Sequence, residues 1–247
     1  MKVSIITVCY NSAITLESTI LSVRDQTYTD IEYIIIDGSS SDGTLEIIKS
    51  YSQVISQFIS ESDNGLYHAM NKGISIASGE LIGILNSDDV FLTATVIEEI
   101  VDFHKKHRID ATIGNIVQCN KSGKVVRFYS SKDWDPNELR YGLMPPHPSL
   151  FVRRELFLKY GSYNLGFKIG ADYELITRLF LRIGINWKYS GITTTSMLVG
   201  GISSSGYSSY KVITGEIKKS LKMNGISFSS WMINIRFIWK IKNFITR

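Results

Sequence analysis

The chain has 247 residues, 44% of them hydrophobic, with only four prolines and a formal net charge of +4. A chain of this length can bury a sizeable core, and the composition excludes an intrinsically disordered protein. No apolar run approaches the roughly 18 residues of a membrane span, and two cysteines, Cys9 and Cys119, make neither a disulfide framework nor a zinc site. Met1-Lys2 leads straight into a short apolar run with no cleavage region behind it, which implies no signal peptide and a cytoplasmic location. The net charge hides an asymmetry: residues 1–175 hold 16 Lys+Arg against 22 Asp+Glu, whereas residues 176–247 hold 11 against Glu216 alone. A basic tail on an acidic body suggests an anionic partner, either nucleic acid or a membrane surface.

In chain order, Val3–Val8 reads as a strand, and Ser12 to about Arg24 as a helix carrying Ile14, Leu16, Ile20, Leu21 and Val23. Ile31–Ile36 is a second strand and Thr44–Ser50 a second helix, opened by Asp42-Gly43. Ile55–Ile59 suggests a third strand, followed by a helix over residues 66–77. Leu81–Leu85 is a fourth strand, with a helix at about 92–104. This βαβαβ order predicts an α/β fold with a mostly parallel, doubly wound sheet. A polar cluster follows each strand: Tyr10-Asn11, Asp37-Gly38-Ser39, Glu61 to Gly65, and Asn86 to Asp89. Such sheets bind ligands at the carboxyl ends of their strands, so all four clusters are expected on one edge.

The last cluster is the most informative. A buried apolar run ends in two adjacent carboxylates, Asp88 and Asp89, which repel unless a cation lies beside them. The competing reading is a solvated turn that caps the next helix. No G-x-G-x-x-G follows the first strand and no G-x-x-x-x-G-K-[ST] occurs, which argues against dinucleotide dehydrogenases and P-loop enzymes. Beyond residue 108 the pattern changes. Ala111–Cys119 and Val125–Tyr129 flank Asn120-Lys121-Ser122-Gly123 as a hairpin. A proline-framed loop carries His147, and helices are expected near Arg153–Lys159 and at about Ala171–Leu181. From Ser227 to Arg247 the chain reads as an amphipathic helix. Trp231, Ile235, Ile238 and Ile245 share one face; Arg236, Lys240, Asn243 and Arg247 share another.

In this order and at these spacings, SIITVCYN, SVRDQTY, EYIIIDGSSSDGT, ESDNGLYHAMNKGI and LNSDD resemble a family 2 glycosyltransferase of the GT-A fold, over about residues 1–200. The resemblance implies a Rossmann-like nucleotide-binding half (1–108) and an acceptor half (109–205), which leaves the basic stretch 206–247 as a separate tail. It implies an inverting transfer from a nucleotide-diphosphate sugar, with UDP expected, assisted by Mn²⁺ or Mg²⁺. Asp37 would accept the imide N–H of a uracil or thymine base, with Thr7, Tyr10 and Asn11 shaping the base pocket. Asp63, Gly65 and Lys72 would serve the diphosphate from a helix N-terminus; Lys72 on a solvated face is the competing reading. Asp89 would be the direct metal ligand, with Asp88 a metal or ribose contact. Asp172 would be the catalytic base, with Glu174 in reserve, against the bland reading of a helix-start acid. His147 is a candidate sugar or acceptor contact. Two departures stand out. His68 replaces the family's usual Asp, and no late histidine follows His147 to complete a metal shell. The processive Q-x-x-R-W motif is absent, which predicts one transfer per encounter.

The resemblance places the enzyme in assembly of a cell-surface polysaccharide or glycolipid, with a glycan or lipid-linked acceptor. The tail would then lie peripherally on the membrane surface. No nucleic acid is expected, because no binding module accompanies the charge. Two other classes compete: a sugar-nucleotide nucleotidyltransferase, which would want a Gly-rich basic loop where Cys9-Tyr10-Asn11-Ser12 stands, and a non-catalytic sugar- or nucleotide-binding subunit.

Overall fold

A computed structural model describes residues 1–199 and 207–234. The first half follows the sequence pattern closely. β1 (Val3–Cys9) and β2 (Ile31–Asp37) lie side by side, in parallel register from Val3 opposite Ile31 to Cys9 opposite Asp37. All seven residues of β1 are buried, as expected of a central parallel strand covered on both faces. α1 (Leu16–Arg24) turns Leu16, Ile20 and Val23 inward; α2 (Thr44–Ser50) buries Ile48. β3 (Gln57–Ser60) adds to β2, and β4 (Leu81–Ile84) to the other side of β1, both parallel. Between them α3 (Leu66–Ile76) buries Tyr67, Ala69, Met70, Gly73 and Ile74. Gly73 is required for close approach, since a Cβ there would lie 2.5 Å from Ile6 Cγ2 on β1.

The first half bears out the parallel sheet expected there, and the second half departs from that pattern. β5 (Asp89–Phe91) precedes α4 (Val96–His107), so that helix starts later than the pattern suggested. β6 (Ala111–Cys119) and β7 (Val125–Tyr129) form the expected hairpin. β8 (Phe151–Arg153) and β9 (Trp187–Leu198) were not anticipated. Among the described residues, nine strands make one sheet of order β3-β2-β1-β4-β8-β6-β9-β5, with β7 on β6. β8 pairs antiparallel with both β4 and β6, and β5 antiparallel with β9. Only β9 on β6 restores a parallel pair. The sheet is therefore mixed: three consecutive parallel pairings, then mainly antiparallel ones. Gly83 allows the change of direction, because a Cβ would stand 2.6 Å from the Phe151 ring.

The described chain forms two compact units. The first comprises Met1–Lys132, Pro146–Tyr163 and Asn186–Val199, and contains the whole sheet, with α5 (Arg154–Tyr160) following β8. The second draws on Asp133–Pro145, Asn164–Ile185 and the described residues beyond 206. It holds α6 (Ala171–Ile176), a π-helical stretch (Thr177–Ile183) that ends at Gly184 with φ 71°, and α7 (Tyr207–Met223). Three separate stretches of chain build this unit. Residues 230–234 are also helical. The rest of the expected tail helix, with Ile235, Arg236, Ile238, Lys240, Asn243, Ile245 and Arg247, lies outside the described residues. Among the described residues, no helix is long and apolar enough to cross a membrane.

Candidate functional site

The loops after β1 and β2 are tied together by hydroxyls and amides. Gly38 N donates to Cys9 O (2.9 Å), Asn11 N to Ser40 Oγ (2.8 Å), and Ser41 N to Asn11 Oδ1 (2.9 Å). Asn11 takes a left-handed φ of 49°, a conformation asparagine tolerates better than most residues. Asp37, completely buried at the end of β2, is the hub. It accepts from Ser40 Oγ (2.5 Å), Ser40 N (3.1 Å) and Ser60 Oγ (2.6 Å). The buried Cys9 thiol beside it is pushed well up, by burial first and then by the Asp37 charge, so it is not a nucleophile. Asp42 performs the turn-capping task separately, accepting from Thr44 N, Thr44 Oγ1 and Ala13 N.

Tyr10 is 67% exposed, and its ring edge comes within 3.3 Å of the place a Cβ on Gly38 would occupy. A flat aromatic surface thus stands beside the Gly38 backbone, where a larger side chain would press on the ring. Thr7 is elsewhere. It is completely buried, and its hydroxyl accepts from Tyr33 Oη at 3.1 Å, so it supports β1 and does not line the loop cluster.

The segment before α3 is a charged knot. Gly65, with φ 104°, turns the chain into the helix. The Asp63 side chain is 8% exposed and contacts His68 Nδ1 at 3.0 Å through Oδ1. The same oxygen meets Lys72 Nζ, which also reaches Glu61 Oε1 at 2.7 Å. Burial works to lower the lysine's pKa, but hydrogen bonds to Asp63 and Glu61 win and raise it. His68, where the resemblance expects an Asp, is thus a partner of Asp63 in this chain. Lys72 faces two carboxylates, so a diphosphate would have to compete for it.

The Asn86–Asp89 turn closes with Asp89 N donating to Asn86 O at 3.0 Å. α1 holds it from below: Thr19 Oγ1 donates to Asp89 O (2.8 Å), and Phe91 N donates to Ser22 Oγ (3.2 Å). Ser12 and Ser87 hydroxyls meet at 2.9 Å, joining this turn to the loop after β1. Asp89 is 1% exposed, and its Oδ1 has no hydrogen-bond partner. Burial, and then the Asp88 charge, push its carboxyl up to about 8, with Asn86 pulling the other way. Asp88 reaches the surface, yet partial burial still raises its carboxyl, while its own backbone N–H and the nearby His147 work the other way. His147 sits in a 3₁₀ turn (His147–Ser149) of the same unit, so the fold brings it to the carboxylate pair.

An orphaned buried oxygen beside a second carboxylate fits a hard divalent cation. No group of three or more His, Cys, Asp or Glu able to hold a metal exists among the described residues. Such a cation would therefore take Asp89 and Asp88 and draw its remaining oxygens from phosphate and water, the usual arrangement for Mg²⁺.

In the second unit, Asp172 opens α6, is partly exposed, and accepts from Tyr173 N at 3.0 Å. Glu174 differs. It is 3% exposed and paired with Arg178 (Nε 3.1 Å and Nη2 3.0 Å), so its carboxylate oxygens are already engaged by the guanidinium. Sequence reasoning missed Ser40 and Ser60, which bond Asp37, Thr19, which bonds the Asp89 main chain, and the Ser12–Ser87 pair. The serines' only signal was that they stand in or beside the polar segments that follow strands; Thr19, inside α1, had none.

Comparison with known proteins agrees with this picture. The family model for Glycosyl transferase family 2 matches residues 4–167. A PGL/p-HBAD biosynthesis glycosyltransferase of Mycobacterium bovis is 27% identical over 226 residues, 90% of this chain and 84% of its own length. An uncharacterized glycosyltransferase of Mycobacterium tuberculosis is 34% identical over 185 residues, 72% of this chain and 69% of its own. Among solved structures, S. aureus TarS 1–349 in complex with UDP-GlcNAc matches with a TM-score of 0.71 at 20% identity, over 90% of this chain and 66% of that one. A mannosyltransferase from Pyrobaculum calidifontis in complex with GDP-Man and Mn²⁺ matches with a TM-score of 0.66 at 17% identity, over 90% of this chain and 63% of that one. At such identities the structural likeness speaks for the fold.

Proposed function

The chain belongs to glycosyl transferase family 2, and on that premise we propose that it moves a sugar from a UDP-sugar to a hydroxyl of a glycan or lipid-linked acceptor, inverting the anomeric centre. It is a glycosyltransferase with the α/β GT-A fold. The reading rests above all on the Asp88–Asp89 pair, whose buried oxygen has no partner within the protein.

In this scheme the exposed Tyr10 ring stacks on the base, and Asp37 accepts the uracil imide N–H when the Ser40 hydroxyl swings off its Oδ1. Uridine fits an acceptor at this place because its N3 carries a hydrogen. Asp89 and Asp88 would hold Mn²⁺ or Mg²⁺, which when bound would offset the charge of the leaving diphosphate. Lys72, drawn from Asp63 and Glu61, and the N-terminal end of α3 add positive potential for the same phosphates. His147 is assigned to the sugar or acceptor. Asp172 takes the proton of the acceptor hydroxyl as that oxygen bonds to the anomeric carbon. The bond to the diphosphate breaks, and the nucleoside diphosphate leaves with the electron pair. The solved TarS complex with UDP-GlcNAc supports a uridine donor, and the Mn²⁺ in the mannosyltransferase complex supports the metal.

The test is transfer or hydrolysis with a panel of UDP-, GDP- and dTDP-sugars and Mn²⁺, in wild type and Asp89→Ala. We expect nucleotide release from one UDP-sugar, lost with EDTA and lost in the variant. Nucleotide binding that is indifferent to EDTA, with no release from any donor in the presence of lipid and glycan acceptors, would mean a non-catalytic subunit.

A further inference from the structure

Glu216 is the one carboxylate in residues 176–247, and it faces the backbone of the segment that leads into α6. Its Oε1 accepts from Lys168 N at 2.6 Å; its Oε2 accepts from Ile169 N at 3.0 Å and Gly170 N at 2.8 Å. Gly170 is the N-cap of α6 and has no side chain with which to cap it. A helix start leaves amides without partners, and an anion there also gains from the helix dipole. Here the cap comes from another helix, 46 residues away along the chain. The fit is close, since a Cβ on Gly170 would stand 3.2 Å from Glu216 Oε2 and 3.4 Å from Glu216 Cβ.

Two further contacts extend the grip. Lys219, one turn along α7, donates from Nζ to Gly166 O at 2.7 Å and lies 4.7 Å above the centre of the Phe167 ring. Asn224, just past the end of α7, donates from Nδ2 to Glu174 Oε1 at 3.3 Å. Residues 166–174 are thus held at both ends and in the middle, and Asp172 lies inside the held span.

We propose that Glu216 is the positioning residue for Asp172: a carboxylate on the C-terminal helix that sets the entry of α6 and so the aim of the catalytic base. The inference rests on the reading of Asp172 as that base. Orientation of a base is worth much in rate, because a displacement of about 1 Å can cost about 100-fold. A residue that only held the fold together would change stability, and would change rate by the same factor whether or not the base were present.

The experiment compares kcat, donor KM and thermal midpoint for Asp172→Asn, Glu216→Ala, Glu216→Gln and the two double variants. Glu216→Ala is expected to lower kcat about 100-fold, with donor KM within about twofold of wild type. Glu216→Gln keeps one acceptor oxygen for three amides and should lose about tenfold with little change in midpoint. In the Asp172→Asn background neither change should lower the residual rate further, since their effect runs through the missing carboxylate. Wild-type kcat in Glu216→Gln, additive losses in the double variants, or a rise in donor KM that accounts for the whole effect would each overturn the proposal. If Glu216→Ala does not fold, Glu216→Gln alone decides. Full activity in Asp172→Asn would instead sink the assignment of the base, and the positioning role with it. An inactive Asp172→Asn beside a fully active Glu216→Gln would sink the positioning role alone.

Discussion

Asp89 shows how a single residue can set stability against function. Its main chain is well held, by Thr19 and the Asn86 turn, yet one carboxylate oxygen is buried without a partner. Its carboxyl is raised to about 8, so at neutral pH the metal-free fold must hold a proton that the unfolded chain releases, which costs roughly 1–3 kcal/mol or more. Replacing Asp89 with asparagine removes that cost at nearly constant volume. Asp89→Asn is therefore expected to raise the metal-free thermal midpoint by several degrees, for about 1–2 kcal/mol gained. It should also abolish the stabilisation that Mn²⁺ with UDP gives the wild type. A lower midpoint in the variant, or an Mn²⁺-dependent shift that survives, would show that the carboxylate is satisfied by some other means. This pair was legible in the sequence because two adjacent acids at the end of a short apolar run repel each other unless a cation joins them. Asp37 was legible from its place at the end of a strand. That Ser40 and Ser60 would close around it was not, since the two serines come from different loops and meet only in the folded sheet.

At the scale of elements, α3 and β1 show why the first half could be read and the second could not. β1 and β2 are mainly apolar runs, each followed by a helix, and β4 is a shorter apolar run, so period and length identify them. Gly73 marks where α3 touches β1. Alanine is the better helix former by roughly 1 kcal/mol. Its Cβ, however, would sit 2.5 Å from a methyl of Ile6, a β-branched and wholly buried side chain with little rotamer freedom. The clash should win. Gly73→Ala is expected to lose about 1–3 kcal/mol, read as a lower urea midpoint at unchanged slope. An unchanged or higher midpoint would mean that Ile6 can turn aside at no cost. By contrast β5 and β8 have three residues each, too short for any periodic signal. β9 alternates burial irregularly through threonines and serines, and it depends on its pairing with β6.

For the whole molecule, the separation of charge is the feature that composition reveals and the fold localises. The basic excess falls on the second unit and the chain beyond it, not on the sheet. Residues 230–234 are partly committed to that unit: Ile233 is fully buried, and Tyr210 Oη donates to Asn234 O at 2.8 Å, while Trp231 remains 68% exposed. An exposed tryptophan next to basic residues suits the polar–apolar boundary of a membrane. A truncation after Asn234 keeps the buried anchor and removes Arg236, Lys240, Lys242 and Arg247. It is expected to weaken binding to anionic vesicles by about 100-fold or more, at about 1 kcal/mol per basic residue, with donor hydrolysis intact. Vesicle binding that is unchanged, measured by co-sedimentation at physiological salt, would remove the membrane from the picture.

The sequence by itself determined the α/β class, the order of the first four strands and the clustering of polar residues at their carboxyl ends. These follow from local hydrophobic period and from the geometry that any parallel α/β sheet imposes. Only the tertiary structure decided that β8 reverses the sheet, that Thr7 faces Tyr33 and away from the loops, and that Glu174 belongs to Arg178. It also decided that a glutamate on α7 caps the helix bearing Asp172. The physical reason is range. A strand's period is written within a few neighbouring residues, whereas a hydrogen bond between residues 170 and 216 exists only once the chain has brought them together.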